Sequence, residues 1–349
     1  MRYWDLPEFD DHEQTCLFTD RETGLRVVVA IHSTHLGPAC GGTRYWHYAS
    51  DGDAVADALR LSRAMSYKSA LAGVAMGGGK AVMLRDPARP RTREQLLAYG
   101  GVLNRLNGQF ATGEDVGFSV ADCEIIRTVS PYVGGTESAG AGDPSIHTAT
   151  GVFNGLRGVV KRALDRDDLQ GVHVAVQGLG NVGWRLAEGL AQAGARLTVT
   201  DIDADRLERA RVALNAETVA PDAILGVEAD ILAPCALGGL FDSVTVAGLR
   251  VRAIAGAANN QLATADAGAA LRARGILYAP DFVINAGGVI GAAEEIAAMP
   301  GRNIRVTRPI EDRLADIETR LLDIFDRADR AGETPEATAM ALGRELIGR

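Results

Sequence analysis

The stretch GVHVAVQGLGNVGWRLAEGLAQAGARLTVTDID, residues 171–203, limits what this chain can fold into more than any other. Val172 to Gln177 is a run of apolar and β-branched residues with the character of a buried strand. Gly178, Gly180 and Gly183 follow in GxGxxG spacing, then an amphipathic helical stretch, then a second apolar strand ending in Asp201. Three glycines so spaced are weak evidence alone, but strand, helix and acid all stand where a dinucleotide-binding βαβ unit needs them. The first glycines let the backbone approach a pyrophosphate at the helix N-terminus, and Asp201 can accept hydrogen bonds from an adenosine ribose, a role open to Asp203 as well. Asp201 repels a 2′-phosphate and Ile202 supplies no cation in its place, so NAD is expected over NADP; Arg206 argues the other way.

A second constellation lies upstream. In MSYKSALAGVAMGGGK, residues 65–80, Lys68 and Lys80 flank a glycine-dense stretch. Gly77, Gly78 and Gly79 predict a tight turn, with Lys80 opening the apolar strand AVML. Desolvation there and a second cation nearby both disfavour an ammonium, so Lys80 is a candidate general base and Lys68 a candidate carboxylate ligand. Two solvated lysines beside an ordinary turn are the plain alternative. A phosphate loop fails on spacing, since Val74 and Ala81 stand where glycine and Ser or Thr are required.

At 349 residues the chain has room for two domains. Its net charge of −9 argues against a general nucleic-acid or anionic-membrane surface. Cys16, Cys40, Cys123 and Cys235 are far apart with no CxxC pair, which fits reduced thiols in a cytoplasm, and the six histidines lack ligand spacing, so no metal is expected. Neither a signal-type apolar run nor a membrane-spanning stretch is expected.

In chain order, Leu25 to Ser33 predicts a buried strand and HLGPACGGTR a loop, whose paired glycines can expose backbone groups to a ligand. A helix over 53–68 would be capped by Asp51 or Asp53 and would end at Lys68. Thr92 and Gln95 form a capping box for a helix over 92–106. Glu114 and Asp115 precede a helix starting near Ser119, where a carboxylate can meet Lys80 or simply be solvated. Residues 134–145 predict the crossing between domains, and a helix follows from Ser145. After the glycine motif come three strand-and-loop units, ADILAPCALGG, RAIAGAANNQ and ILYAPDFVINAGG, whose Asn259, Asn260 and Asn285 can hydrogen-bond a ligand or form turns. Ile310, Leu314, Ile317, Leu321 and Ile324 or Phe325 make the stripe of a long packing helix, and a last helix follows Thr334. The expected architecture is α/β: a substrate-binding domain over 1–136 and a Rossmann domain over 137–330 separated by a cleft, with a helix over 331–349 able to rejoin the first domain.

With GPACGGTR, MSYKSALAGVAMGGGK, ATGEDVG, GDPS, VAVQGLGNVG, VTDID, APCALGG, AGAANNQL and YAPDFVINAGGVI in that order, nearly the whole chain resembles the amino-acid dehydrogenases of glutamate, leucine, phenylalanine and valine, the leucine and phenylalanine branches above all. The resemblance implies that Lys68 pairs with a substrate α-carboxylate, that Lys80 activates the water attacking an imine carbon, and that Asp115 exchanges protons with the amino group. It places Gly41 and Gly42 at the carboxylate end with Asn260, and Cys40, Gly113, Val289 and Ala292 around the substrate side chain. It assigns the NAD site to Gly178, Gly180, Asn181, Val182, Gly183, Asp201, Thr148, Ala258, Asn259 and Asn285, and it implies a homo-oligomer, for which Tyr3, Trp4 and Phe9 offer an apolar contact.

The reaction so implied is reversible oxidative deamination of an L-amino acid. Cys40, Gly113 and Ala292 are small where leucine-type members carry bulkier aliphatic groups, which favours an aromatic or large aliphatic substrate; Gly113 is similar to phenylalanine-type enzymes and the following EDVG to leucine-type ones, so both stay open. Glutamate is disfavoured because none of these wall positions is basic. A catalytically silent NAD-binding sensor would have lost Lys68, Lys80 or Asp115, and a hydroxy-acid dehydrogenase would want a histidine on a cofactor-domain loop, where none stands.

Overall fold

A computed structural model describes residues 2–136, 143–302, 304 and 306–349. The chain forms two units: Met1–Pro144 with Gly291–Thr307 and Gly343–Arg349, and Ser145–Ile290 with Arg308–Leu342. Residues 137–142 of the expected crossing lie outside the described residues.

Unit one is built on a mixed sheet of β1 (Gln14–Asp20), β2 (Leu25–Ser33), β3 (Ala39–Cys40), β4 (Thr43–Trp46), β5 (Gly77–Leu84) and β6 (Phe110–Ala111). The order is β1-β2-β5-β3-β6, with β4 also on β5; β1 and β2 pair antiparallel, β2 and β5 likewise, and the remaining pairings are parallel. Strand β2 is buried everywhere except Arg26 and β5 nearly throughout, as their largely apolar or small sequences suit strands covered on both faces, with Lys80 the charged exception in β5. One cover is helix α1 (Asp51–Leu71), which packs Ala54, Ala58 and Leu59 against Val28, Ala30 and Val82. Its cap is Ser50, joined to Asp53 in a capping box; the expected caps, Asp51 or Asp53, are both first-turn residues instead, because the serine hydroxyl reaches the Asp53 amide. Helix α2 (Arg93–Arg105) has the expected Thr92 and Gln95 box, and α3 (Val120–Arg127) is capped by Ser119.

The expected turn at Gly77–Gly79 is absent. These three glycines are the first residues of β5, none with positive φ, and Lys80 is the strand's fourth residue rather than its first. Close approach explains the glycines. A Cβ on Gly78 would lie 2.1 Å from the Ser66 amide nitrogen of α1, one on Gly77 2.2 Å from the Ser33 carbonyl oxygen, and one on Gly79 2.7 Å from the Phe110 ring. Residues 343–349 complete the unit at its N-terminal edge. The Arg349 guanidinium donates to the carbonyls of Asp10, Asp11 and His32, and Asp10 accepts from Tyr67 and Arg344.

Unit two begins along α4 (Pro144–Leu164) and continues through β7 (His173–Gln177), α5 (Asn181–Gln192), β8 (Arg196–Thr200), α6 (Ala204–Ala213), β9 (Glu217–Thr218), β10 (Ile231–Pro234), α7 (Ser243–Gly248), β11 (Ala253–Ile254), α8 (Ala267–Ala273), β12 (Leu277–Tyr278) and α9 (Asp281–Ile284). The six strands are parallel in the order β12-β11-β10-β7-β8-β9, so the winding reverses between β10 and β7, as in a Rossmann sheet. Helix α10 (Gly287–Ala297) runs from this unit into unit one, α11 (Ile310–Ala331) returns, and α12 (Pro335–Leu346) leaves again. Leu314, Ile317, Leu321, Ile324 and Phe325 of α11 are buried, and Gly155 of α4 leaves the space that Leu321 and Ile284 fill. Among the described residues no helix is long and apolar enough to cross a membrane.

The close approach of α1 to β5 is testable. Gly78→Ala is expected to lose roughly 3 kcal/mol, because the methyl group meets backbone rather than a movable side chain. An unchanged denaturant midpoint would show that α1 can lift off the strand.

Candidate active site

Strand β5 pairs along one edge with β2, where Lys80 stands opposite Ala30. Along the other edge it pairs first with β3 at Gly77 and Gly78, then with β4 from Ala81 onward. Gly41 and Gly42 span the gap between those pairings, beside Gly79 and Lys80. Neither position tolerates a side chain. A Cβ on Gly41 would lie 1.8 Å from the Gly79 carbonyl oxygen, and one on Gly42 2.4 Å from the Glu114 carbonyl oxygen and 2.9 Å from the Asp115 Cβ. Gly42 thus lets the loop carrying Asp115 close onto β5. Thr43 N–H to the Gly113 carbonyl, and Tyr45 N–H to that of Val116, tie the loop to β4.

The result is a chain of alternating charge. Lys80, 5% exposed, places Nζ 3.1 Å from Asp115 Oδ2. Arg44 Nε lies 3.1 Å from the same oxygen, and Arg44 Nη1 donates to Asp57 Oδ2 at 3.0 Å. Asp57 accepts further from Tyr48 and Arg60. Burial, the largest influence on Lys80, pulls its ammonium below the ordinary lysine range; Asp115 opposes this and Arg44 adds to it. Burial pushes Asp115 upward, yet the Lys80 and Arg44 charges outweigh it and hold the carboxyl below the usual range. The site therefore keeps an ionised carboxylate against an amine that gives up its proton more readily than a surface lysine.

Lys68 lies half-buried in the last turn of α1. Cys40 is 8% exposed, and burial pushes its thiol up to about 11. Gly113 backs onto the Gly134 carbonyl, where a Cβ would be held at 3.3 Å. Ala292 and Val289 lie half-buried along α10, Ala292 in unit one and Val289 in unit two. Two residues of unit one escaped the sequence reading. Arg44, which holds Asp115, is the last residue of GPACGGTR, and only its place after the paired glycines hinted at it. Arg302 is buried, donating to the carbonyls of Gly108 and Ala39 beside Cys40, with nothing in its local sequence to foretell a cation there.

In unit two the glycine loop joins β7 to α5. Gly178 has φ +94°, a Cβ on Gly183 would lie 1.9 Å from the Gly178 carbonyl oxygen, and the direction of a Cβ on Gly180 is open. The first α5 amides have no side-chain cap, and Asn181 and Val182 form that first turn. An open glycine before uncapped helix amides suits a phosphate, so the loop fits a dinucleotide. Asp201 follows β8; its Oδ2 accepts from the Leu179 amide at 2.6 Å and its Oδ1 from the Asp203 amide at 2.9 Å. Arg206 lies 3.7 Å from Asp201 Oδ2 and 3.4 Å from Asp203 Oδ2. Asn285 donates to Asn259 Oδ1 at 2.8 Å and to the Ala257 carbonyl at 3.1 Å, Ala258 is buried, and Asn260 is exposed with φ +52°. Thr148 on α4 faces Gly288, where a Cβ would lie 3.0 Å from its hydroxyl.

Known proteins resemble this chain in sequence and in fold. The profile for the Glu/Leu/Phe/Val dehydrogenase dimerisation domain matches residues 12–132, and that for Glutamate/Leucine/Phenylalanine/Valine dehydrogenase matches residues 199–346. Leucine dehydrogenase of Thermoactinomyces intermedius is 42% identical over 99% of this chain and 94% of its own length. Phenylalanine dehydrogenase of Bacillus thermotolerans is 41% identical over 97% and 89%. The crystal structure of L-tryptophan dehydrogenase from Nostoc punctiforme superposes with a TM-score of 0.86 at 38% identity, covering 97% of this chain and 96% of that one.

The charge chain makes a signed prediction. Arg44→Met removes a cation that destabilises the Lys80 ammonium, so Lys80 is expected to titrate at higher pH, whereas Asp115→Asn is expected to move it lower. NMR of 13C-methylated lysine across pH reads both; shifts of the same sign in the two variants would contradict the arrangement.

Proposed function

We propose a specific reaction from one premise: the chain belongs to the Glu/Leu/Phe/Val dehydrogenase family and is an amino-acid dehydrogenase, an oxidoreductase acting on CH–NH2 donors. The reaction is the NAD-dependent, reversible oxidative deamination of a hydrophobic L-amino acid to its 2-oxo acid, ammonium and NADH. The observation that carries it is the buried Lys80 amine 3.1 Å from an ionised Asp115.

A nicotinamide cofactor, when bound, would supply the acceptor for the hydride of Cα, and the residues of unit one would act on the substrate's resulting iminium carbon. Lys68 holds the substrate carboxylate with the backbone of Gly41 and Gly42 nearby. Lys80, as the free amine, takes a proton from the water that attacks this carbon. Asp115 exchanges protons with the substrate nitrogen, which leaves as ammonium. Arg44 keeps Asp115 ionised and turned toward Lys80. Asn260 and Val289 take their substrate roles from the family resemblance alone.

For the cofactor, Gly178, Gly180, Asn181, Val182 and Gly183 line the pyrophosphate end, Asp201 the ribose end, and Thr148, Ala258, Asn259 and Asn285 the nicotinamide end. NAD is favoured because Arg206 is already matched by two carboxylates and has little attraction left for a 2′-phosphate. Cys40, Gly113 and Ala292 leave a roomy side-chain pocket, which favours an aromatic substrate over a branched-chain one. The described dimerisation domain supports a homo-oligomer, and we place the enzyme in the cytoplasm on its thiol cysteines.

Three outcomes test this. NADH formation by the purified protein is expected with phenylalanine or tryptophan above leucine and valine, with glutamate inert and NADP poor; turnover of glutamate with NADP would overturn the substrate and cofactor assignments. Deamination should rise with pH, since the free amine forms as pH passes upward through the Lys80 pKa, and Lys80→Ala is expected to lose roughly 100-fold to 10,000-fold of kcat at every pH. Ala292→Val is expected to shift preference toward branched-chain substrates by about 10-fold in kcat/KM; equal losses for both types would remove Ala292 from the pocket.

A further inference from the structure

Unit one carries a cation-lined cavity that the reaction does not use. The segment RDPARPRTR, residues 85–93, leaves β5 and wraps back to the start of α2, and its two prolines keep it from continuing either element. Arg85, Arg89, Arg91 and Arg93 all line one cavity of about 620 Å³, with Tyr45 and Trp46 of β4 as a wall. The chain as a whole is acidic, so four guanidinium groups around one space are a local reversal of its charge.

These arginines are not equivalent. Arg91 is a fixed part of the fold: it donates to the Gly117 carbonyl at 2.7 Å, pairs with Asp122 and lies over the Tyr45 ring at 4.5 Å. Asp122, the one carboxylate among the described lining residues, is engaged through Oδ2, which accepts from Arg91 and from the Ser119 amide and hydroxyl. Arg85 and Arg93 form no salt bridge among the described residues, and Arg89 has only a long pairing of 3.9 Å with Asp86. Three exposed guanidinium groups thus face a common space; the carboxylates nearest to Arg89 and Arg93, Asp86 and Glu94, do not line it, so the positive charge inside is not balanced by the cavity's own wall. Trp46 is 50% exposed and presents a broad apolar surface at the same wall.

We propose that this cavity binds a nucleotide, its phosphates on Arg85, Arg89 and Arg93 and its base against Trp46. Guanidinium forks match phosphate oxygens two at a time, and one triphosphate can engage several of them together. A flat base gains contact area on the indole that a bare phosphate chain does not. The site is wholly within unit one and is separate from the glycine loop of unit two.

Calorimetric titration of the full chain with ATP and with inorganic tripolyphosphate tests it. Both are expected to bind, ATP the more tightly, and rising salt is expected to weaken both. Arg85→Ala with Arg93→Ala should weaken both by about tenfold or more while circular dichroism and thermal midpoint stay as in the parent. Trp46→Ala should bring ATP down to the tripolyphosphate level. Absence of binding by either ligand overturns the proposal. ATP binding untouched by the double substitution also overturns it, by assigning that binding to the dinucleotide fold. Equal affinity of the parent for ATP and tripolyphosphate overturns the base contact and with it the nucleotide as ligand.

Discussion

An ammonium buried on a central strand is unfavourable unless an anion compensates it, and the arrangement of unit one follows from meeting that requirement at Lys80. The anion comes from a loop, not from a neighbouring strand. For Asp115 to arrive, the β3-to-β4 connection must be bare backbone at Gly42, while Gly41 clears the Gly79 carbonyl of β5. A second cation, Arg44, then prevents the carboxylate from simply sharing the lysine's proton, and Asp57 with Tyr48 and Arg60 fixes that arginine in turn. Each member is positioned by the next, so the Lys80–Asp115 ion pair is held in place by the fold itself.

Unit two solves a different problem, the presentation of unpaired backbone amides. Its glycine loop leaves the α5 N-terminus uncapped, and Asp201 anchors the loop from the adjacent strand by accepting the Leu179 amide. That carboxylate is a buried structural acceptor, and the ribose contact proposed for it would be a second use. The two uses are compatible because a carboxylate has lone pairs beyond the two that the backbone amides occupy.

Much of this was legible in the sequence where the signal is local. Strand β2 spans the residues that its apolar run delimits, the Thr92 box opens α2, and the strand, glycines, helix and acid of unit two occur in the expected order. What escaped was long-range. Glycine has two uses, to turn and to allow close packing, and Gly77–Gly79 serve the second against Ser33, Ser66 and Phe110, none of which is near in sequence. Arg44 owes its role to a loop some seventy residues onward, and the return of residues 291–307 to unit one has no sequence mark. The cap of α1, expected at Asp51 or Asp53, is Ser50, because serine and aspartate are both good caps and only the backbone geometry decides between them.

The edge of unit one around Asp10, Asp11 and His32 is held by Arg349 and Arg344, residues made only after all of unit two has been made. During synthesis this edge therefore stays unsealed while the parallel sheet of unit two emerges. Such a chain closes its first unit last, which favours slow, late maturation and exposes it to chaperone capture in the interval.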